Sequence, residues 1–126
     1  MKKEQLVRHE FEPVYDKNSE ILILGSFPSV KSREQGFYYG HPQNRFWKVL
    51  AAIVQEKIPD SIEEKKEMLL RNHIAVYDVI WQCKITGSSD SSIKDVVPAD
   101  ITTIVELSKI RKIYANGKLA EKLFSK

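Results

Sequence analysis

At 126 residues, 42% apolar and 29% charged, the chain has the size and composition of one folded domain that buries about 65% of its unfolded surface, which excludes disordered, collagen-like and disulfide-stapled classes. Its 20 Lys and Arg against 17 Asp and Glu leave a net charge of +3, a balance that permits a nucleic-acid partner without requiring one. No apolar run approaches the ~20 residues of a membrane span, no charged-then-apolar leader opens the chain, and the single cysteine, Cys83, closes no internal disulfide, so a cytoplasmic setting is expected.

Residues 1–19 are polar and mixed, with Pro13 and Asn18-Ser19 as turn signals, and read as an arm leading into the fold. Ile21 to Leu24, rich in β-branched residues and closed by Gly25, reads as a strand buried on both faces. Between Asn44 and Glu56, Phe46, Val49, Leu50, Ile53 and Val54 recur at helical spacing, so this stripe should face the interior, with Asn44 available as N-cap. Asp60 and Glu63 have the spacing of a capping box ahead of a charged helix through Arg71. Ile74 to Ile80 is a second buried strand and Thr86 to Ser92 a loop. Asp100 can cap a helix whose inward face is Ile101, Ile104, Val105 and Ser108. Ile110 to Tyr114 reads as a third strand, Asn116-Gly117 as its turn, and Leu119, Ala120, Leu123 and Phe124 as the apolar face of a last helix. Strands separated by helices require crossover connections. The expected fold class is therefore α/β, a three-layer α/β/α sandwich around a short, mostly parallel sheet, in one domain over residues 1–126. An alternation that ends on a helix is expected to lack its next strand.

In open α/β sheets, ligands bind at the carboxyl ends of strands, which makes the long segment after the first strand the natural site. Residues 25–47 combine hydroxyls, an amide, basic side chains and the successive aromatics Phe37, Tyr38 and Tyr39. That equipment can stack a planar ring, bond its edge and hold phosphate. Neither GxGxxG nor GxxxxGK[ST] occurs, so dinucleotide-binding and P-loop readings fail. His9, His41 and His73 lack metal-ligand spacing.

Gly25-Ser26-Phe27-Pro28-Ser29 and Phe37-Tyr38-Tyr39-Gly40-His41-Pro42-Gln43-Asn44-Arg45-Phe46-Trp47 resemble the first motif region of the uracil-DNA glycosylase superfamily, most closely its hypoxanthine-DNA (DNA-deoxyinosine) glycosylase branch. The mismatch-specific uracil/thymine glycosylases carry a similar His-Pro-x-Asn-Arg-Phe-Trp segment at the same distance from a Gly-x-Asn-Pro-Gly element. Phe27 here stands where those relatives have their water-activating Asn. The similarity extends through Tyr77-Asp78-Val79-Ile80-Trp81, the loop from Gly87 to Ile93, and Asn116-Gly117-Lys118.

The resemblance implies a monofunctional N-glycosylase of base-excision repair. Its substrate would be a deaminated base in DNA, hypoxanthine before uracil, flipped out of the stack, and it would need no metal, organic cofactor or obligate protein partner. By the same resemblance Tyr39 covers one face of the flipped base, and Phe27 and Ser26 line its pocket. Asn44 takes over the amide function, positioning the water or bonding the base, and His41 donates to the departing base. Ser29, Lys31 and Arg33 hold phosphates and make binding salt-sensitive. Plainer alternatives stand beside these roles: Phe37, Tyr38 and Tyr39 as core filling, Asn44 as a helix cap, His41 as a buried structural histidine, Asp78 as a structural hydrogen-bonding group. Superfamily members also carry a Ser/Pro-rich motif after a last strand, and nothing resembling it occurs before Lys126. A catalytically incompetent DNA-binding remnant and a nucleotide-binding α/β domain are therefore the alternative functions.

Overall fold

The apolar run at Ile21 becomes the middle strand of a parallel sheet, because Leu22 and Leu24 are fully buried on one face while Ile21 and Ile23 are partly covered on the other. The computed structural model describes residues 4–9, 12–27, 37–39, 45–86 and 92–116. In chain order these form β1 (Glu4–Arg8), β2 (Ile21–Gly25), α1 (Phe46–Val54), α2 (Ile62–Arg71), β3 (Ile74–Asp78), β4 (Ile80–Thr86), β5 (Lys94–Pro98), α3 (Ile101–Glu106) and β6 (Lys112–Ala115). β3, β2 and β6 pair in that order, all parallel, with Ile23 opposite Val76 on one side and Tyr114 on the other. β1, β4 and β5 make a second, antiparallel sheet. Among the described residues no helix is long and apolar enough to cross a membrane.

Several boundaries differ from those the sequence suggests. The segment read as an arm contains β1, which pairs along β4 from Glu4 opposite Thr86 to Arg8 opposite Gln82. The expected strand from Ile74 to Ile80 is two strands in two sheets. The chain breaks at Val79, whose N–H donates to the Gly25 carbonyl at 2.8 Å while Ile80 N–H donates to the Ser26 carbonyl at 3.1 Å. The end of β2 thus caps β3 and turns the chain into β4, where Cys83 and Ile85 point inward. β5 was not foreseen; Asp95 takes a left-handed φ of 53° where the β4–β5 register slips, the usual place for a bulge. β6 begins two residues later than predicted. The helix predicted at Leu119 to Phe124 and residue Gly117 lie outside the described residues.

The stripe predicted for α1 is rotated. Its buried residues are Trp47, Leu50 and Ala51, whereas Val49 and Ile53 are 53% and 71% exposed. Trp47 decides this: its indole N–H donates to the Tyr38 carbonyl at 3.1 Å and its ring stacks on Phe37. Val49 and Ile53 then line an open groove with Ile21, Ile23 and Tyr114. The N-cap position of α1 is Arg45, with no side-chain cap. At α2 the capping box sits one residue on from Asp60 and Glu63. Ser61 Oγ accepts from Glu64 N–H at 3.1 Å, and the Glu64 carboxylate accepts from Asp60 N–H at 2.8 Å. Asp100 caps α3 as expected, accepting from Thr103 N–H at 3.1 Å, and Ile104 is buried below it.

Candidate active site

All three parallel strands finish at one place. β2 ends at Gly25, β3 at its register partner Asp78, and β6 runs into Asn116, whose N–H donates to the Leu24 carbonyl at 2.6 Å. The pairing of glycine with aspartate has a steric cause. A Cβ on Gly25 would lie 2.4 Å from Asp78 Oδ1 and 3.0 Å from the Tyr39 hydroxyl. Only a residue without a side chain lets that carboxylate lie over the neighbouring strand.

The carboxylate is held from the other side by the N-terminal segment. One residue past β1, His9 donates its main-chain N–H to the Trp81 carbonyl at 2.7 Å. Its ring Nε2 meets Asp78 Oδ2, also at 2.7 Å. The His9 side chain is fully buried and that of Asp78 is 6% exposed, so this contact is shielded from water. Aromatic rings cage the imidazole: Tyr77 at 5.0 Å, Tyr38 at 5.6 Å and the edge of Phe27 at 6.1 Å. The contact ties the antiparallel sheet, through β1, to the ligand end of the parallel one.

Tyr38 and Tyr39 enter from the far end of the motif segment. Tyr38 is buried and donates its hydroxyl to the Glu12 carbonyl at 2.8 Å. Tyr39 has a left-handed φ of 52°, a conformation that costs a residue with a Cβ of order 1 kcal/mol. Its ring stacks on Phe46, 3.9 Å between centroids and 14° from parallel. The Tyr39 hydroxyl is enclosed and has no hydrogen-bond partner among the described residues. The Asn116 amide lies beside it and slightly favours ionisation, but its geometry is not that of a hydrogen bond. Burial, and then the Asp78 charge, push both phenols well above their ordinary value of 10.0. Folded-state values raised in this way hold their stability below pH 10 and lose it above, because the unfolded chain releases protons that the folded one keeps. The unfolding free energy should therefore fall above pH ~10 by up to about 1.4 kcal/mol per pH unit for each phenol, measurable by urea titration between pH 8 and 11.

Of the residues singled out from sequence, Ser26, Phe27 and Tyr39 come together at the end of β2. Phe27 is half-buried against His9, and Ser26 lends its carbonyl to Ile80. Ser29, Lys31, Arg33, His41 and Asn44 lie outside the described residues. Phe37 and Tyr38 fill the core. Sequence reasoning weighed His9 only as a metal ligand and missed its pairing with Asp78, whose reading as a structural hydrogen-bonding group agrees with that contact.

A parallel sheet whose strand ends converge on a shielded acid, with aromatics beside them, is an α/β arrangement of the kind that binds ligands at the carboxyl ends of its strands. The chain belongs to the uracil DNA glycosylase superfamily, which it matches over residues 12–126. It is 38% identical over 117 residues to a protein named Hypoxanthine DNA glycosylase from Methanosarcina acetivorans, covering 91% of this chain and 74% of that one. A protein of the same name from Methanosarcina barkeri is 37% identical over 110 residues, covering 86% and 70%. A solution NMR structure described as a candidate uracil DNA glycosylase, also from Methanosarcina acetivorans, superposes with a TM-score of 0.84 at 36% identity, covering 96% of this chain and 76% of that one.

Proposed function

We propose that this protein is a monofunctional DNA glycosylase that hydrolyses the N-glycosidic bond of a deaminated base flipped out of DNA, hypoxanthine first and uracil second. The observation that carries the reading is 38% identity across 91% of the chain to a Hypoxanthine DNA glycosylase. The strand-end geometry supports it: a base turned out of the stack meets aromatic rings and buried polar groups where α/β sheets take their ligands. In the reaction the C1′–N bond breaks, its electron pair leaves with the base, a water oxygen bonds C1′, and the water's proton ends on the base. Asn44 positions that water or bonds the base, His41 donates toward the departing base, and Phe27, Ser26 and Tyr39 line the pocket. Ser29, Lys31 and Arg33 hold phosphates. The setting is the cytoplasm, with DNA as partner and no cofactor.

The test is incubation with duplexes bearing deoxyinosine, deoxyuridine or deoxyxanthosine, followed by alkaline cleavage of abasic sites. Deoxyinosine strands should be cut fastest, and scission at none of the three lesions removes the enzymatic reading. Asn44→Ala should slow single-turnover release by about 100-fold while changing duplex affinity by less than about threefold. An unchanged rate takes Asn44 out of the mechanism.

A further inference from the structure

Tyr39 carries two separate costs. A non-glycine residue held at a left-handed φ of 52° is strained, and an enclosed hydroxyl with no hydrogen-bond partner among the described residues has given up its water without return from them. The ring is held by apolar contacts that do not involve the hydroxyl, its stack on Phe46 and its packing against the core. That stack also occupies one face of the ring, so the group Tyr39 leaves unused among the described residues is its O–H. The hydroxyl stands where the three parallel strands end, 3.0 Å from the point a Gly25 Cβ would occupy and beside Asp78 and Asn116.

We propose that the Tyr39 hydroxyl is a catalytic hydrogen-bond donor to the carbonyl oxygen that deamination creates on the base, O6 of hypoxanthine or O4 of uracil, as that base departs. The assignment rests on the glycosylase reading above. When the C1′–N bond breaks, the base takes both electrons, and the charge spreads onto this oxygen. A donor already in place, away from bulk water, stabilises that charge more than it stabilises the neutral starting base. Tyr39 keeps its proton throughout, and burial beside the Asp78 charge ensures that it has one to offer. Hydrogen-bond donation, distinct from the covering of a ring face, is the task this geometry fits.

Tyr39→Phe keeps the ring and its stack and removes only the hydroxyl. Single-turnover release of hypoxanthine should slow by about 100-fold, with duplex binding altered by less than about threefold. Because an unsatisfied buried group is removed, Tm should rise by about 2–4 °C. A second measurement compares deoxyuridine with 5-fluorodeoxyuridine, whose base leaves as a more stable anion. The loss in the variant should shrink from about 100-fold to about 10-fold on the better leaving group. An equal loss on both, an unchanged rate, or a lower Tm overturns the assignment; a lower Tm would mean that the hydroxyl serves the fold by bonding to Asp78. If the wild-type protein releases no base from any lesion duplex, the glycosylase reading itself fails. If the wild type is active and Tyr39→Phe equally so, only the role of the hydroxyl does.

Discussion

His9→Ala is expected to cost about 3–5 kcal/mol of folding stability, a large part of what a domain of this size possesses. The imidazole is fully buried, its Nε2 lies 2.7 Å from Asp78 Oδ2, and nothing in the alanine variant can replace it, so the carboxylate is left inside the protein with its charge uncompensated. The ring's contacts with Tyr38, Tyr77 and Phe27 go as well. Asp78→Asn should cost much less, about 1 kcal/mol, because its amide oxygen still accepts from the ring N–H and no charge is stranded. Urea unfolding of the two variants measures the asymmetry. Losses of similar size, or a His9→Ala cost below about 1 kcal/mol, would show that Asp78 reaches water.

Gly25→Ala is the second large effect. The backbone of Gly25 is not in the left-handed region, so alanine meets no conformational penalty there; the obstacle is the atom 2.4 Å from its Cβ. Asp78 cannot retreat without leaving His9, and Tyr39 cannot retreat without leaving Phe46. Overpacking of this kind costs about 1–3 kcal/mol. Displacing strand-end groups by about 1 Å should slow base release by about 100-fold. Combining Gly25→Ala with Asp78→Ala opens the space again. The pair should therefore be less destabilised than the two single changes added together, and strict additivity in urea denaturation would show that the methyl and the carboxylate do not collide.

How much of this was readable in advance depended on whether a residue's role is set by its neighbours in sequence. β2, α2 and α3 rest on local signals: an apolar run closed by glycine, a cap at Asp100, a capping box placed one residue early at Asp60, and helical spacing. The alternation of β4 was also present, with Cys83 and Ile85 inward and Gln82 and Lys84 outward, but it follows β3 with one residue between and was absorbed into the same apolar run. β5 offered no period, since Lys94, Asp95, Val97 and Pro98 are all exposed. The rotation of α1 depends on Trp47 finding Phe37 and the Tyr38 carbonyl, contacts that spacing within a helix does not encode. His9 is the extreme case. It lies in a polar stretch, 69 positions from the carboxylate it pairs with. The unsatisfied Tyr39 hydroxyl is likewise a property of three-dimensional surroundings and has no trace in the motif itself.

The junction at Val79 links the two sheets. One stretch of backbone belongs to both sheets, and β1 lies along the outer edge of the second with His9 just beyond it. Edge strands fray more readily than interior ones. Each time β1 peels from β4, the clasp on Asp78 is released along with it. A fusion tag, protease cut or crowding neighbour acting on Glu4–Arg8 would thereby reach the strand ends from outside, through the contact between His9 and Asp78.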